Sequence, residues 1–385
     1  MKVLFYVQHL LGIGHLVRAS RIASALAEAG QDVTMVTGGM AVDGFPDQQI
    51  GKIQLSPLRS ADSSFSGLAD EYGRQVDVVD MTRRRDALIK AFDEVKPDCL
   101  VIEAFPFARR QMRFELLPLL EHVAALPVMH RPLVVCSIRD ILQPKSLRRD
   151  QATAQLVRDH FDLVMAHADE RFVLLDETFS ETSSISDRLV YTGMIGPSHA
   201  KSPSTDRYDV IVSAGGGAVG EELLHASLAA RVLTSLNSAR WLIVTGPNLP
   251  EDAISRLQVN LSGKVEIVRY RPDLAVLLRQ AKVSVSQAGY NTVADVLSAK
   301  CAGVLVPFAT GGEQEQTIRA TRLEEAGLAI CLPQKNLTAS RLAFAVDAAC
   351  KLDRNDAVDM KLDGAETTAA ILSERHEAFR RDHLT

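Results

Sequence analysis

The side chains best placed for chemistry lie in residues 282–323, which form two successive strand–loop–helix units. Val283–Ser286 is a β-rich run, followed by a turn containing Gly289. A helix then opens at Asn291 and Thr292 and carries Asp295 one turn in. A second apolar run, 303–306, stops at Pro307, and a loop through Gly311 and Gly312 leads to Glu315, Gln316 and another helix. In a parallel sheet both loops leave the carboxyl ends of their strands, where ligands bind. The first N–H groups of a helix have no intrahelical acceptor, and with the helix dipole they favour phosphate. Gly289 lets the backbone approach a ligand closely. Asp295 is a fixed acceptor suited to a ribose diol, and Glu315 and Gln316 offer partners for sugar hydroxyls. Together these groups suit a sugar nucleotide, against the plainer reading of two ordinary turns with solvated helix starts.

The run Ser286-Gln-Ala-Gly-Tyr-Asn-Thr-Val-Ala-Asp295, followed by Pro307-Phe308, Glu315-Gln316 and Glu325-Ala-Gly327, resembles the donor-binding half of family 28 (MurG-like) glycosyltransferases. The resemblance implies an α/β chain of the GT-B fold, with two doubly wound parallel-sheet, Rossmann-like domains facing a cleft. Ala214-Gly-Gly-Gly-Ala-Val-Gly220, at a strand–helix junction, looks like the family's second donor loop, with Gly217 where a Ser is usual. Four glycines there suit a diphosphate cradle. The implied donor-side residues are Gly14, Gly215, Gly216, Gly217, Tyr270, Arg271, Gly289, Tyr290, Asn291, Thr292, Asp295, Glu315 and Gln316. Asp295 replaces the family's usual Glu and is one methylene shorter. For Arg271 the alternative is a surface pair with Asp273.

In the first half, residues 3–7 read as a buried strand and 16–29 as a helix stopped by Gly30. The loop between them carries Gly12-Ile-Gly14-His15. It lacks the third glycine of a dinucleotide fingerprint, and Gly38-Gly39 stand where an NAD-binding acid is expected. His15, at the loop–helix junction, suits a general base, because a helix N-terminus favours the neutral imidazole. Family 28 chains carry a Gly-His at this point, which supports that role over a capping one. Glu103, at the carboxyl end of the strand 99–102, is a candidate to orient His15 or bind the acceptor; a cap or salt bridge is the alternative. The run Arg83-Arg84-Arg85 reads as a solvated helix face, and the basic, apolar segment 109–120 as a helix packed on the sheet. Gly12-x-Gly14-His15-x-x-Arg18 also resembles UDP-sugar hydrolases of the same structural group.

A length of 385 residues suits two domains. We expect an acceptor-side domain over 1–194, a Gly-, Pro- and Ser-rich linker over 195–207, and a donor domain over 208–364. A last helix, 365–385, is expected to return to the first domain. Net charge −5 and a pI near 6.1 argue against nucleic acid. Five cysteines without CxxC spacing read as reduced thiols in a cytoplasmic protein. No apolar run approaches the ~20 residues that span a bilayer, so any membrane contact is expected to be peripheral, at the inner face. No Asp-x-Asp pair occurs, and the expectation is metal-independent, inverting transfer from a nucleotide-diphosphate sugar, a UDP-sugar by resemblance, with no cofactor. The acceptor, lipid-linked or small, is not specified. A UDP-sugar hydrolase and a non-catalytic binding partner are the rival readings.

Overall fold

The computed structural model describes residues 1–61, 67–197, 205–215, 220–246, 249–258, 263–352 and 359–384. The chain divides into two compact units, Met1–Ile195 with Asp363–Thr385, and Gly196–Leu362.

The first unit opens with β1 (Lys2–Val7), α1 (Gly14–Glu28), β2 (Asp32–Thr37), β3 (Gly51–Gln54) and a short hairpin, β4 (Arg59–Ser60) with β5 (Leu68–Ala69). It continues with α2 (Val78–Val95), β6 (Cys99–Glu103), α3 (Arg113–Ala124), β7 (Leu133–Arg139), α4 (Leu147–His160), β8 (Leu163–His167) and β9 (Leu189–Tyr191). Seven strands form one parallel sheet in the order β3-β2-β1-β6-β7-β8-β9. Val3 to Val7 and all of β6 are buried, as expected of strands covered by helices on both faces. The chain runs outward from β1 in one direction and then restarts at β6 on its other side. The loops after β1 and β6 therefore part at the topological switch point, where a doubly wound sheet opens a crevice.

The second unit repeats the plan. Its elements are β10 (Val210–Ser213), α5 (Glu221–Arg231), β11 (Trp241–Val244), α6 (Glu251–Leu257), β12 (Val265–Val268), α7 (Leu274–Leu278), β13 (Val283–Ser286), α8 (Tyr290–Ser298), β14 (Ala302–Leu305), α9 (Glu315–Glu325), β15 (Ala329–Cys331) and α10 (Ala339–Ala349). The six-stranded parallel sheet has the order β12-β11-β10-β13-β14-β15, so its switch point lies between β10 and β13. The closing helix α11 (Gly364–Leu384) belongs to the first unit and packs along α1. Among the described residues, no helix is long and apolar enough to cross a membrane.

The segment 109–120 packs as expected: Met112, Leu116, Leu119 and Leu120 join the first unit's core. The arginine run does not behave as a solvated face. It lies inside α2, which begins at Val78, capped by the Asp77 carboxylate accepting from the Asp80 N–H. Arg84 shares its helical face with Leu88 and is 2% exposed, whereas Arg83 points outward. Arg84 Nε donates to Glu115 Oε2 (2.6 Å) and Nη2 donates to Gln8 Oε1 (2.6 Å). Its Nη1 donates to the Gly38 carbonyl (3.0 Å) and to the Ser56 carbonyl. Tyr6 donates its hydroxyl to Glu115 as well. One buried guanidinium thus joins the chain ends that follow β1, β2 and β3. Gly38 lies against Gln8 and Arg84, and Gly39 against the His9 ring, where a Cβ on either would collide. That packing accounts for glycines at the position where a dinucleotide-binding acid would stand.

Candidate functional site

At the first unit's switch point, α1 starts directly after the β1 loop. Gly14 is its first residue, and Ile13 at the N-cap supplies no side-chain cap. His15 therefore sits on the first turn, one residue from the loop. Glu103 ends β6, the strand beside β1, and its side chain reaches across: Oε1 lies 3.1 Å from His15 Nδ1. Arg18, three residues after His15 and so on the same helical face, donates Nη2 to the same oxygen. On the other side, the Ser137 hydroxyl donates to Glu103 Oε2 (2.6 Å). Ser137 is the register partner of Glu103 on β7. Ser137 Oγ also lies 2.9 Å from Nε2 of His167, the last residue of β8, whose Nδ1 is 2.8 Å from Thr192 Oγ1.

Burial sets the electrostatics. Glu103 is 1% exposed, which by itself would raise its pKa, but Arg18 and the bonds from His15 and Ser137 prevail and hold it down to about 2. His15 is lowered to about 3, first by desolvation and then by Arg109 and Arg18, against the opposing pull of Glu103. His167 is lowered to about 3 by desolvation and Arg18. At neutral pH the arrangement is therefore a carboxylate between two neutral imidazoles, with the His15 side chain still 16% exposed.

These histidines predict an acid-labile first unit. Unfolded, each takes up a proton near its ordinary 6.5; folded, only near 3. Between those values the unfolded chain binds more protons, so stability is full above 6.5 and falls as pH drops. From pH 7 to pH 5 each histidine is expected to remove about 2 kcal/mol. Glu103 titrates below its ordinary 4.5 and so lies outside this window. Urea unfolding followed by circular dichroism checks this, and a midpoint constant from pH 7 to 5 would contradict it.

In the second unit Gly215, Gly289 to Thr292, Asp295, Glu315 and Gln316 lie on the loops and helix starts after β10, β13 and β14, whereas Tyr270 and Arg271 follow β12. Gly215 (φ 75°) follows β10 at the switch point, and a Cβ built on it would stand 3.6 Å from Gln287 Oε1, in the loop after β13. Gly216 and Gly217 lie outside the described residues. Gly289 is the N-cap of α8, which has no side-chain cap and no acid in its first turn, Tyr290-Asn291-Thr292; Asp295 follows, half-buried. A cavity of about 260 Å³ adjoins this cluster, lined by Gly220, Glu221, Gln287, Val306, Phe308 and Gln334 among others. Gln316 braces it, with Oε1 accepting from the Phe308 N–H (3.1 Å).

Two expected ligand contacts have protein partners of their own. Glu315 is 4% exposed and pairs with Arg319 one turn on (2.7 Å); Arg319, fully buried, also donates to the Ala288 carbonyl (2.7 Å) and lies over the Tyr290 ring. That pair ties α9 to the start of α8. Arg271 grips Asp273 with two bonds of 2.8 Å and Asp206 with one of 3.0 Å, the ion-pair alternative noted above. Tyr270 beside it is 53% exposed.

Arg18, Ser137 and His167 are the site residues that the sequence reading did not single out as functional. The available signal was a polar residue at the carboxyl end of an otherwise apolar strand, as in Leu-Val-Val-Cys-Ser137 and Leu-Val-Met-Ala-His167, the same signal that exposed Glu103.

Both units share their architecture with solved sugar transferases. The structure resembles the calicheamicin glycosyltransferase CalG4 (TM-score 0.61, 17% identity, 98% of each chain). It also resembles Acinetobacter baumannii MurG (TM-score 0.57, 16% identity, 98% of this chain and 100% of that one). The fold is therefore the GT-B fold of glycosyltransferases. Residues 210–372 match the model of the glycosyltransferase family 28 C-terminal domain. Curated relatives are UDP-N-acetylglucosamine--N-acetylmuramyl-(pentapeptide) pyrophosphoryl-undecaprenol N-acetylglucosamine transferases. That of Thermotoga neapolitana is 25% identical over 49% of this chain and 53% of its own, and that of Shewanella frigidimarina is 30% identical over 37% and 39%. The matched region spans about half the length of the first of these relatives, and less of the second.

Proposed function

We propose that this chain transfers a sugar from a nucleotide-diphosphate sugar to an acceptor hydroxyl, with inversion and without a required metal. The observation that carries the reading is the His15–Glu103 pair at a switch point, on a chain whose residues 210–372 match the family 28 C-terminal domain model. With Nδ1–H on Glu103, His15 presents the Nε2 lone pair. Nε2 takes the acceptor's proton as the acceptor oxygen bonds to the anomeric carbon; the bond from that carbon to the diphosphate oxygen breaks, and the diphosphate leaves as an anion. Glu103 stabilises the imidazolium that forms.

The second unit supplies donor binding. The first turn of α8 and the loop at Gly215 offer backbone N–H groups to the diphosphate, which takes the place of metal stabilisation. Gly289 (φ −66°, ψ 145°) has no described neighbour within 4 Å of a built Cβ, which leaves the backbone there open to close approach. Asp295 holds the ribose and Gln316 the sugar, with Glu315 held back by its pair with Arg319. The names of the curated relatives support UDP-N-acetylglucosamine as the first donor to try and a lipid-diphosphate acceptor among the candidates.

The test follows release of nucleoside diphosphate from a panel of UDP-sugars in EDTA, with and without lipid-linked and small hydroxyl acceptors. Acceptor-dependent release in EDTA is expected. Acceptor-independent release would favour a hydrolase, and a strict requirement for divalent metal would overturn the metal-free reading.

A further inference from the structure

Counting protons in the buried chain Glu103–Ser137–His167–Thr192 determines more than the dyad. Ser137 has one hydroxyl proton and two neighbours that could take it, Glu103 Oε2 at 2.6 Å and His167 Nε2 at 2.9 Å. An ionised carboxylate only accepts. If the serine proton went to His167, two lone-pair-bearing oxygens would face each other at 2.6 Å in a site that is 1% exposed. The proton therefore goes to Glu103, and the Ser137–His167 contact requires Nε2–H as donor. His167 is neutral, so its Nδ1 is the acceptor and the Thr192 hydroxyl donates to it, in preference to the Gly193 carbonyl at 2.9 Å. On the other side, His15 Nδ1 faces Glu103 Oε1 at 3.1 Å and Arg18 Nη2 at 3.3 Å; Arg18 already donates to Oε1, and the shorter contact with an acceptor-only carboxylate places the proton on Nδ1.

We infer that Ser137 and His167 are positioning residues: a one-directional hydrogen-bond relay, Thr192 to His167 to Ser137 to Glu103, holds the carboxylate so that His15 and His167 are locked in opposite tautomers, Nδ1–H and Nε2–H. The relay touches no reacting atom. It acts by denying Glu103 any rotation that would release His15 Nδ1, and the His167 donor keeps Ser137 turned toward the carboxylate. The catalytic consequence rests on His15 being the base; the tautomers do not.

The first readout is ¹⁵N NMR of histidine-labelled wild-type protein, with His15→Gln and His167→Gln spectra used for assignment. His15 is expected as the Nδ1–H form and His167 as the Nε2–H form. Equal tautomers, or a charged His167 at pH 7, would overturn the relay without any variant having to function. The second readout is turnover. Ser137→Ala is expected to mix the His15 tautomers and lower kcat by about tenfold or more, with the donor KM unchanged. His167→Gln, whose amide can donate to Ser137 and accept from Thr192, is expected to keep the His15 tautomer and stay within about twofold. Unaltered His15 signals in Ser137→Ala would refute the positioning role. Loss of turnover in Ser137→Ala with donor KM raised in parallel would point to a purely structural part. If His15→Ala keeps full turnover while the opposite tautomers are observed, the base assignment fails and the relay stands.

Discussion

His15→Ala is expected to lower kcat by about a thousandfold at saturating donor, within the range that a positioned general base contributes. The donor KM is expected to change little, because the donor residues proposed above belong to the other unit. The size of the effect follows from the geometry around the ring. Glu103 orients His15 through Nδ1 and offsets the charge that appears when Nε2 takes a proton. Burial, and then Arg109 and Arg18, push the other way and keep the resting imidazole neutral, so the base is available well below its ordinary titration range. The wild-type rate should accordingly stay flat as pH falls from 8 to 6, where an unperturbed histidine would already be losing activity. Initial rates across that range check both parts. Full turnover in His15→Ala would move the base elsewhere, with Glu103 the first residue to examine.

Glu115→Ala is expected to destabilise the first unit by about 3–5 kcal/mol, the cost of leaving a buried charge without its partner. Arg84 is buried on all sides and its donors are spent on Glu115, Gln8 and two carbonyls. Without Glu115 the guanidinium keeps its desolvation cost and loses its counter-charge, and the Tyr6 hydroxyl loses its acceptor. Arg84→Met with Glu115→Met should cost less than Glu115→Ala alone, since both charges then leave the core together. Urea unfolding of the single and double variants measures the difference. A loss below about 1 kcal/mol for Glu115→Ala would place the pair among ordinary surface bridges.

The parts of the molecule that could be read from sequence are those where one residue type has few physical uses. Val210–Ser213 and Val283–Ser286 were recognisable as strands because short β-branched runs bounded by loops have no better conformation. Glu103 stood out because a polar group at the end of a buried strand faces an open edge, and His15 because it stands at a loop–helix junction. The family resemblance implied two parallel sheets, and the two large sheets are parallel. Arg84 was not legible. Three consecutive arginines look solvated, and only the phase of a helix beginning at Val78 turns the middle one inward. The edge strand Gly51–Gln54 and the β4–β5 hairpin carry too few apolar residues to announce themselves. The Arg271–Asp273 pair was among the sequence alternatives, and Arg319 four residues after Glu315 was a local signal passed over; only the Asp206 contact of Arg271 is a matter of packing.

The central claim is a donor site that works without metal, and calorimetry tests it most directly. Wild type and Asp295→Ala would be titrated in EDTA with UDP-, dTDP-, GDP- and ADP-sugars, alongside thermal shifts. A ligand that binds only the native state should stabilise it by about 2.7 kcal/mol at a hundredfold excess over Kd. The expected result is metal-free binding of one nucleotide class, UDP-sugars first, weakened by Asp295→Ala by about tenfold or more, the loss of one charge-assisted hydrogen bond of about 1.5–3 kcal/mol. Binding of no nucleotide sugar by wild type, or equal binding by Asp295→Ala, would contradict the account.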